Sequence, residues 1–274
     1  MFALFLSAHI LAADIPPSKI ESPALSHYLE LLNDHAGALT PLGSWRKGEI
    51  EVIINPEQIH KIENQMRLRL LCKGATEQQA KAWSSIGVVA EDQYLIWLRD
   101  GVIFPSGVSG TYDRIVWKTG LSGAPGVAIM PILPNKKIVV NLNYRHATRS
   151  WEIELPRGGR KDHETPEQAA IRELKEETGY ELSQPLLLGT MAPDSGVLST
   201  LIPLFYGKVS HSGDSYREYS EAISQNPAFT KEELKESLSR GYIDIPIQGN
   251  IVRVSSRDPY LAFAILQAES KKLL

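Results

Sequence analysis

The sequence has one cysteine, almost no net charge and no apolar run long enough to span a bilayer. The lone Cys72 excludes an internal disulfide, and no cysteines and histidines stand at the spacing of a zinc site. A net charge of −3 over 274 residues gives no general attraction to phosphate polymers, which argues against a sequence-independent nucleic-acid binder. The hydrophobic content of 43% is typical of a globular protein.

Residues 1–13 are apolar, but a bilayer span needs about 20 such residues. The segment has no Lys or Arg before its apolar run and carries His9 inside it, both atypical of a secretory signal. We therefore expect a cytoplasmic protein without a membrane partner. Export through a clipped signal is the alternative.

The pattern divides the chain into three parts. Residues 1–24 combine the apolar segment with a linker rich in Pro and Ser, and residues 25–90 form an N-terminal extension of unknown role with helical segments. In residues 91–274, short strands surround one long helix. This arrangement predicts an α/β or α+β domain with a mixed sheet and packed helices.

Spacing and turn signals predict individual elements. Helices are expected over residues 56–71, 76–86, 231–239 and 259–270. Strands are expected over residues 112–118, 126–133, 137–144, 150–155, 185–190 and 201–209. The dipeptide Asp100-Gly101 predicts a hairpin turn between two earlier strands.

The long central helix has clear start and stop signals. Thr165 is the expected N-cap, Pro166 occupies the first helical position, and Gln168 completes a capping box. Gly179 supplies the C-terminal stop. Ala170 and other small or apolar residues at i, i+4 and i+8 form a row suited to packing on a sheet.

Three carboxylates on this helix project in a common direction, because Glu173, Glu176 and Glu177 stand at i, i+3 and i+4. Like charges at this spacing repel, and the later half of a helix disfavours anions. One interpretation is a solvated face with ion pairs to Arg172 and Lys175. The other is a set of hard oxygen ligands for Mg²⁺ or Mn²⁺.

The loop before the helix favours the second interpretation, because Gly158-Gly159 allows a ligand to approach the backbone closely. The spacing resembles the Nudix box, G-x5-E-x7-R-E-U-x-E-E-x-G-U, in which U is a bulky apolar residue. Its named positions here are Gly158, Glu164, Arg172, Glu173, Glu176, Glu177 and Gly179. We therefore identify the sequence as resembling the Nudix hydrolases.

The flanking residues resemble the ADP-ribose pyrophosphatase branch of that family. WEIELPRG, residues 151–158, is similar to the branch's lead-in, with Arg157 where Ala is usual, as in an ELPRG variant. The pair Tyr144-Arg145 resembles the branch's Y-R pair, whose Arg faces substrate phosphate. MAPDSG, residues 191–196, resembles its proline loop. The resemblance implies that Arg145, Arg157 and Pro193 bind substrate.

The resemblance also implies an α/β/α sandwich and metal-dependent hydrolysis. Glu173 and Glu177 would be the main ligands of Mg²⁺ or Mn²⁺, with Glu176 contributing and the Arg157 carbonyl as a further ligand. Glu164 would position the loop, with Arg172 as its expected partner. For the Glu164–Arg172 pair, stabilisation of the helix start is an equally simple interpretation.

In the branch, the general base is a glutamate on a loop well after the box. Here residues 215–223, SYREYSEAI, offer Glu218 and Glu221. Glu221 lies 48 residues after Glu173 and precedes Ala-Ile, which resembles the sequence after the base in relatives. We favour Glu221 over Glu218; an ordinary surface acid is the alternative.

The leading functional hypothesis is hydrolysis of the diphosphate in ADP-ribose or a related sugar nucleotide, giving a nucleoside monophosphate and a sugar phosphate. A dinucleoside polyphosphate or CoA hydrolase is an alternative within the same class. A catalytically quiet Nudix ligand sensor is the alternative from another class. The expected partner is a small nucleotide, with no nucleic acid, and dimerisation through early strands is a further implication of the branch.

Overall fold

The computed structural model describes residues 22–211, 213–217, 219–247 and 249–274. They form two compact units. The first comprises the described residues through Gly123 together with Asp194–Ser199, and the second comprises Ala124–Pro193 and Thr200–Leu274. The predicted apolar segment of residues 1–13 lies outside the described residues. Within the described ranges, no helix is long and apolar enough to cross a bilayer.

The first unit contains helices and a four-stranded antiparallel sheet. Its α-helices are α1 (Pro23–Asp34), α2 (Ala36–Leu39), α3 (Pro56–Cys72) and α4 (Glu77–Ser84). Its strands are β1 (Glu51–Val52), β2 (Gly87–Glu91), β3 (Leu95–Ile103) and β4 (Ser109–Trp117), and β3 pairs with each of the others. Short 3-10 helices lie at Trp45–Lys47 and Lys118–Ser122.

Helices α3 and α4 confirm the two predicted helices, and each begins at a capped N-terminus. The Asn55 side chain accepts a hydrogen bond from the Gln58 backbone N–H at 3.1 Å, and Thr76 and Gln79 form a complete capping box. The predicted division between residues 90 and 91 falls within β2, whereas the compact units divide between Gly123 and Ala124.

The predicted hairpin turn at Asp100-Gly101 is wrong. Both residues lie inside β3, and the chain turns instead at residues 104–108, where Gly107 has a φ of +80°. Asp100 is buried and accepts a hydrogen bond from the Tyr28 hydroxyl at 2.5 Å. It also pairs with Arg114 at 2.7 Å. These long-range partners hold an Asp-Gly dipeptide in an extended strand despite its local preference for a turn.

The second unit is α/β with mixed sheets, which confirms the predicted fold class. Its helices are α5 (Pro166–Thr178), α6 (Lys231–Arg240) and α7 (Pro259–Ser270). Its first six strands are β5 (Gly126–Ile132), β6 (Ile138–Val139), β7 (Asn141–Arg145), β8 (Ser150–Glu154), β9 (Arg157–Gly159) and β10 (Tyr180–Met191). The remaining strands are β11 (Ile202–His211), β12 (Ile223–Gln225), β13 (Ala228–Phe229), β14 (Tyr242–Ile247) and β15 (Asn250–Ser255).

These strands form a six-stranded and a five-stranded sheet. The first has the order β10-β11-β5-β6-β13, with β9 also paired to β5, and the second has the order β12-β7-β8-β15-β14. The β11–β5 and β15–β8 pairs are parallel and the others antiparallel. The sequence pattern missed β14 and β15, predicted one strand over residues 137–144 where β6 and β7 are separate, and predicted β10 too short.

Strand β5 lies at the centre of the second unit, and every one of its residues is buried. Val127 and Ile129 pack with Ala170 and Leu174 of helix α5, on one face of the sheet. The alternate residues, including Met130, pack on the other face in a core shared with the five-stranded sheet, α6 and α7. The row on α5 therefore packs on the sheet as predicted, which fixes the face on which its glutamates lie.

Candidate active site

Local sequence signals set both ends of α5. The Thr165 side chain accepts a hydrogen bond from the Gln168 backbone N–H, and the Gln168 side chain accepts one from the Thr165 N–H at 2.8 Å. At the other end, Gly179 adopts a φ of +74°, which favours glycine. The predicted capping box and stop are therefore confirmed.

Gly158 lets the loop lie directly against the acidic turn of α5. It belongs to β9, which pairs with β5, and a Cβ atom at this position would overlap the Glu173 carboxylate. A Cβ at the neighbouring Gly159 would meet no atom within 4 Å. Of the two glycines, only Gly158 lies so close to another group, the Glu173 carboxylate, that a side chain would collide with it.

Glu177 is a buried carboxylate whose partners are neutral. Its Oε2 accepts hydrogen bonds from the Asn141 side-chain amide at 2.9 Å and from the Arg157 backbone N–H at 3.0 Å. Burial raises the pKa of Glu177 to about 8, and repulsion from Glu221 and Glu173 adds to the effect. Within the described part of the chain, no Lys, Arg or His forms an ion pair with it. A buried carboxylate without a counter-charge is costly, and a cation would relieve that cost.

Arg172 binds the other carboxylates of the box. Its guanidinium donates to both oxygens of Glu164 at 2.8 Å, to Glu173 at 2.7 Å and to Glu176 at 2.8 Å. The predicted Glu164–Arg172 pair is therefore confirmed. The pair holds the pKa of Glu164 down at about 2, whereas burial raises the pKa of Glu173 in spite of Arg172.

The carboxylates of the acidic turn suit a hard divalent cation, although they are not grouped as a set of metal ligands in this structure. Glu173 and Glu177 are buried oxygen donors, and both have a raised pKa because burial disfavours their charged forms. Among the residues that the structure describes, no three His, Cys, Asp or Glu side chains are grouped as a metal-ligand set. Glu173 and Glu176 each form an ion pair with Arg172.

Of the two predicted base residues, Glu221 faces the acidic turn. Its charge raises the pKa of both Glu173 and Glu177, so its carboxylate lies within electrostatic reach of both. Glu218 lies outside the described residues. Pro193 occupies the loop after β10 and is half-buried. The roles of these residues stay predictions.

Beside the acidic turn lies a cleft of about 220 Å³, which we call the arginine cleft because Arg145, Arg157 and Arg257 line it. Buried carboxylates hold all three guanidinium groups. Glu154, 2% exposed, binds Arg145 at 2.6 Å and Arg157 at 2.7 Å, and Glu152 binds Arg257 at 2.6 Å.

Arg157 connects the cleft to the acidic turn. Its backbone N–H binds Glu177, whereas its side chain binds Asp258 at 2.8 Å and stacks over the Tyr260 ring. The Nη1 atoms of Arg145 and Arg257 have no hydrogen-bond partner within the described part of the chain, so these N–H groups remain for a ligand.

The comparison with family models shows what this part of the chain resembles. The model of the NUDIX domain matches residues 124–202, which include β5, the β9 loop and the whole of α5. This stretch is similar to NUDIX domains. The resemblance seen in the sequence is thereby confirmed.

Several curated proteins are similar to part of the chain. The chain is 38% identical to a methanol dehydrogenase activator of Bacillus methanolicus over 85 residues, 31% of this chain and 46% of that protein. It is 29% identical to an ADP-sugar pyrophosphatase of Mus musculus over 99 residues, 34% and 45% of the two chains. It is 28% identical to an ADP-ribose pyrophosphatase of Bacillus subtilis over 98 residues, 35% and 53% of the two chains. The chain thus spans about half the length of these relatives.

Sequence reasoning missed four polar residues around the acidic turn and the arginine cleft. These are Asn141, Arg217, Arg257 and Asp258. A signal existed only for Asp258, which precedes Pro259 and caps α7 by accepting a hydrogen bond from the Leu261 N–H. For the others, the relevant partner is distant in sequence, so no local pattern marks them.

Proposed function

We propose that the protein hydrolyses the diphosphate bond of a nucleoside diphosphate linked to another moiety, namely ADP-ribose or a related sugar nucleotide, with Mg²⁺ or Mn²⁺. The observation that carries this proposal is the buried Glu177, whose hydrogen-bond partners are neutral, beside buried Glu173 and the close approach of Gly158. Relatives named as ADP-sugar and ADP-ribose pyrophosphatases support the choice of substrate class.

Glu173 and Glu177 would hold the cation, with Glu176 and the Arg157 carbonyl as further ligands. When bound, a divalent ion offsets the negative charge of the phosphates and lowers the pKa of a water molecule. The ion pair with Arg172 would keep Glu176 near the site.

Glu221 would accept a proton from the attacking water. Its position near Glu173 and Glu177 supports this role, because a general base must lie close to the site at which the water is activated.

The arginine cleft would bind the anionic part of the substrate that extends beyond the scissile bond. Ion pairs with the buried Glu154 and Glu152 fix Arg145 and Arg257, and their Nη1 groups are available to an anion. Planar guanidinium groups suit phosphate oxygens, and fixing them in advance reduces the entropic cost of binding.

Turnover of a nucleotide panel with product identification tests the proposal. We expect ADP-ribose or another sugar nucleotide to give a nucleoside monophosphate and a sugar phosphate with Mg²⁺ or Mn²⁺, and no turnover after chelation. Dinucleoside polyphosphates or CoA as the preferred substrates would replace the substrate assignment. Nucleotide binding without any turnover would indicate a ligand sensor and overturn the hydrolase proposal. Cytoplasmic location and homodimerisation stay predictions from the sequence.

A further inference from the structure

A ring of hydrogen bonds connects Glu177 to the segment that carries Glu221. The Glu177 carboxylate accepts from the Asn141 amide at 2.9 Å, and the Asn141 side-chain oxygen accepts from the Asn226 amide at 2.7 Å. The Asn226 oxygen in turn accepts from Nη2 of Arg217, and Nε of Arg217 donates to the Glu177 backbone carbonyl at 3.0 Å. The ring therefore begins and ends on the same glutamate.

Two further hydrogen bonds hold the segment that contains Arg217. Nη1 of Arg217 donates to the backbone carbonyl of Ile223 at 2.8 Å, which brackets Glu221 between residues 217 and 223. The backbone N–H of the preceding Tyr216 donates to the carbonyl of Glu176 at 2.8 Å. One guanidinium thus ties the last turn of α5 to both ends of the stretch that includes Glu221.

The chemistry of this position requires an arginine. The end of α5 leaves carbonyl groups without partners inside the helix, and a cation is favoured there by the helix dipole. Three different nitrogens of Arg217 donate to three different acceptors, which suits the planar fork of a guanidinium and not the single ammonium nitrogen of a lysine. Arg217 also reaches the Glu177 carboxylate through the hydrogen bonds of Asn226 and Asn141. Asn141 lies on strand β7, and its side chain orients the carboxylate.

We propose that Arg217 is a positioning residue that sets the orientation of the Glu177 carboxylate and the place of Glu221 together. The inference rests on the proposed function for the roles of these two glutamates. Arg217 itself touches neither the substrate nor the cation in this proposal. It acts through Asn226 and Asn141 on one side and through the Ile223 carbonyl on the other.

The test compares Arg217→Ala and Arg217→Lys with Arg240→Ala, which removes an exposed arginine from the last turn of α6. Residues behind metal ligands typically contribute 10- to 100-fold to metal affinity or activity. We expect both Arg217 variants to bind Mn²⁺ at least ~10-fold more weakly, measured by electron paramagnetic resonance, and to lose at least ~10-fold in kcat with KM changed less than ~3-fold. Added guanidinium ion should restore part of the kcat of Arg217→Ala and none of that of Arg217→Lys, whose ammonium occupies the site.

A residue that only stabilises the fold would lower the melting temperature and leave Mn²⁺ affinity unchanged in the folded protein. Mn²⁺ affinity within twofold of the natural chain in folded Arg217→Ala would therefore overturn the inference. If that variant does not fold, Asn226→Ala breaks the ring and leaves the Arg217–Ile223 bond intact, and the same loss of Mn²⁺ affinity is expected. The titration needs no substrate, so absence of nucleotide turnover in the natural chain would refute the proposed function without deciding the role of Arg217.

Discussion

Asn141 donates a hydrogen bond to Glu177 across 2.9 Å, although 36 positions separate the two residues. Asn141 is the first residue of β7 and is fully buried, so this donor is fixed before any ligand binds. An amide supplies orientation without supplying positive charge. The carboxylate of Glu177 therefore has no positively charged partner among its two donors, the Asn141 amide and the Arg157 backbone N–H, and a cationic ligand could supply one. This is the basis of the first prediction.

Glu177→Gln should stabilise the metal-free protein and abolish activity. A folded-state pKa of about 8, against a usual value near 4.5, means that stability falls as the pH rises through this interval, because the carboxylate must ionise in a buried site. At pH 8 with a chelator, denaturant titrations should give the variant a free energy of unfolding roughly 2–4 kcal/mol higher than that of the natural chain.

The matched control for that change is Glu176→Gln on the same helical turn. Glu176 is one-third exposed and pairs with Arg172, so its neutralisation should give no such stabilisation. Equal stabilisation by both variants, or full activity in Glu177→Gln, would contradict the assigned role of Glu177.

Glu221→Gln should lower kcat by at least about a hundredfold while the protein stays folded, because the amide cannot accept the proton from water. KM and Mn²⁺ affinity should change little. The measurement is steady-state turnover beside a circular dichroism spectrum, with Glu218→Gln as the paired variant. If Glu218→Gln loses activity and Glu221→Gln keeps it, the base is Glu218.

Gly158→Ala should disturb the site because its new methyl group would overlap the Glu173 carboxylate. Either the β9 backbone or Glu173 must move, and misplacement by about 1 Å can cost on the order of a hundredfold in rate. Gly159→Ala is the control, since its methyl group meets open space. Comparable kcat values for the two variants would show that the close approach is not needed for catalysis.

Arg257→Ala should weaken substrate binding and leave the chemical step nearly intact. Losing a hydrogen bond to a charged group costs about 1.5–3 kcal/mol, so we expect KM to rise about 10- to 100-fold with kcat within about threefold. Arg253→Ala, which removes an exposed arginine paired with Asp244 on the neighbouring strand, is the control. An unchanged KM in Arg257→Ala would exclude this residue from the substrate site.

Glu164→Gln should change the acid stability of the protein. The folded-state pKa of about 2 lies below the usual value near 4.5, so the Glu164–Arg172 pair stabilises the fold above pH 4.5 and loses that effect as the pH falls toward 2. The melting temperature of the variant should lie below that of the natural chain at pH 7, and the gap should shrink at pH 3.5. A gap independent of pH would mean that the contact acts through packing and not through charge.

The box and its helix could be predicted because their signals are local. The spacing from Gly158 to Gly179 and the cap at Thr165 depend on backbone geometry within one turn-and-helix unit. The ring around Glu177 could not be predicted, because Arg217 lies 40 positions beyond that residue. The turn predicted at Asp100-Gly101 was wrong for the same reason, because a buried ion pair between Asp100 and a residue on another strand outweighs the dipeptide's preference for a turn.

Arg157 makes three positions of the chain interdependent. Its side chain neutralises Glu154 and Asp258, both almost fully buried, while its main chain touches the acidic turn. Introducing the alanine that is usual at this place would leave the cap of α7 with an unmatched charge, so Asp258 would have to change as well. Arg157, Glu154 and Asp258 are therefore epistatic to one another. A redesign of residues 151–158 must change them together and must include the start of α7.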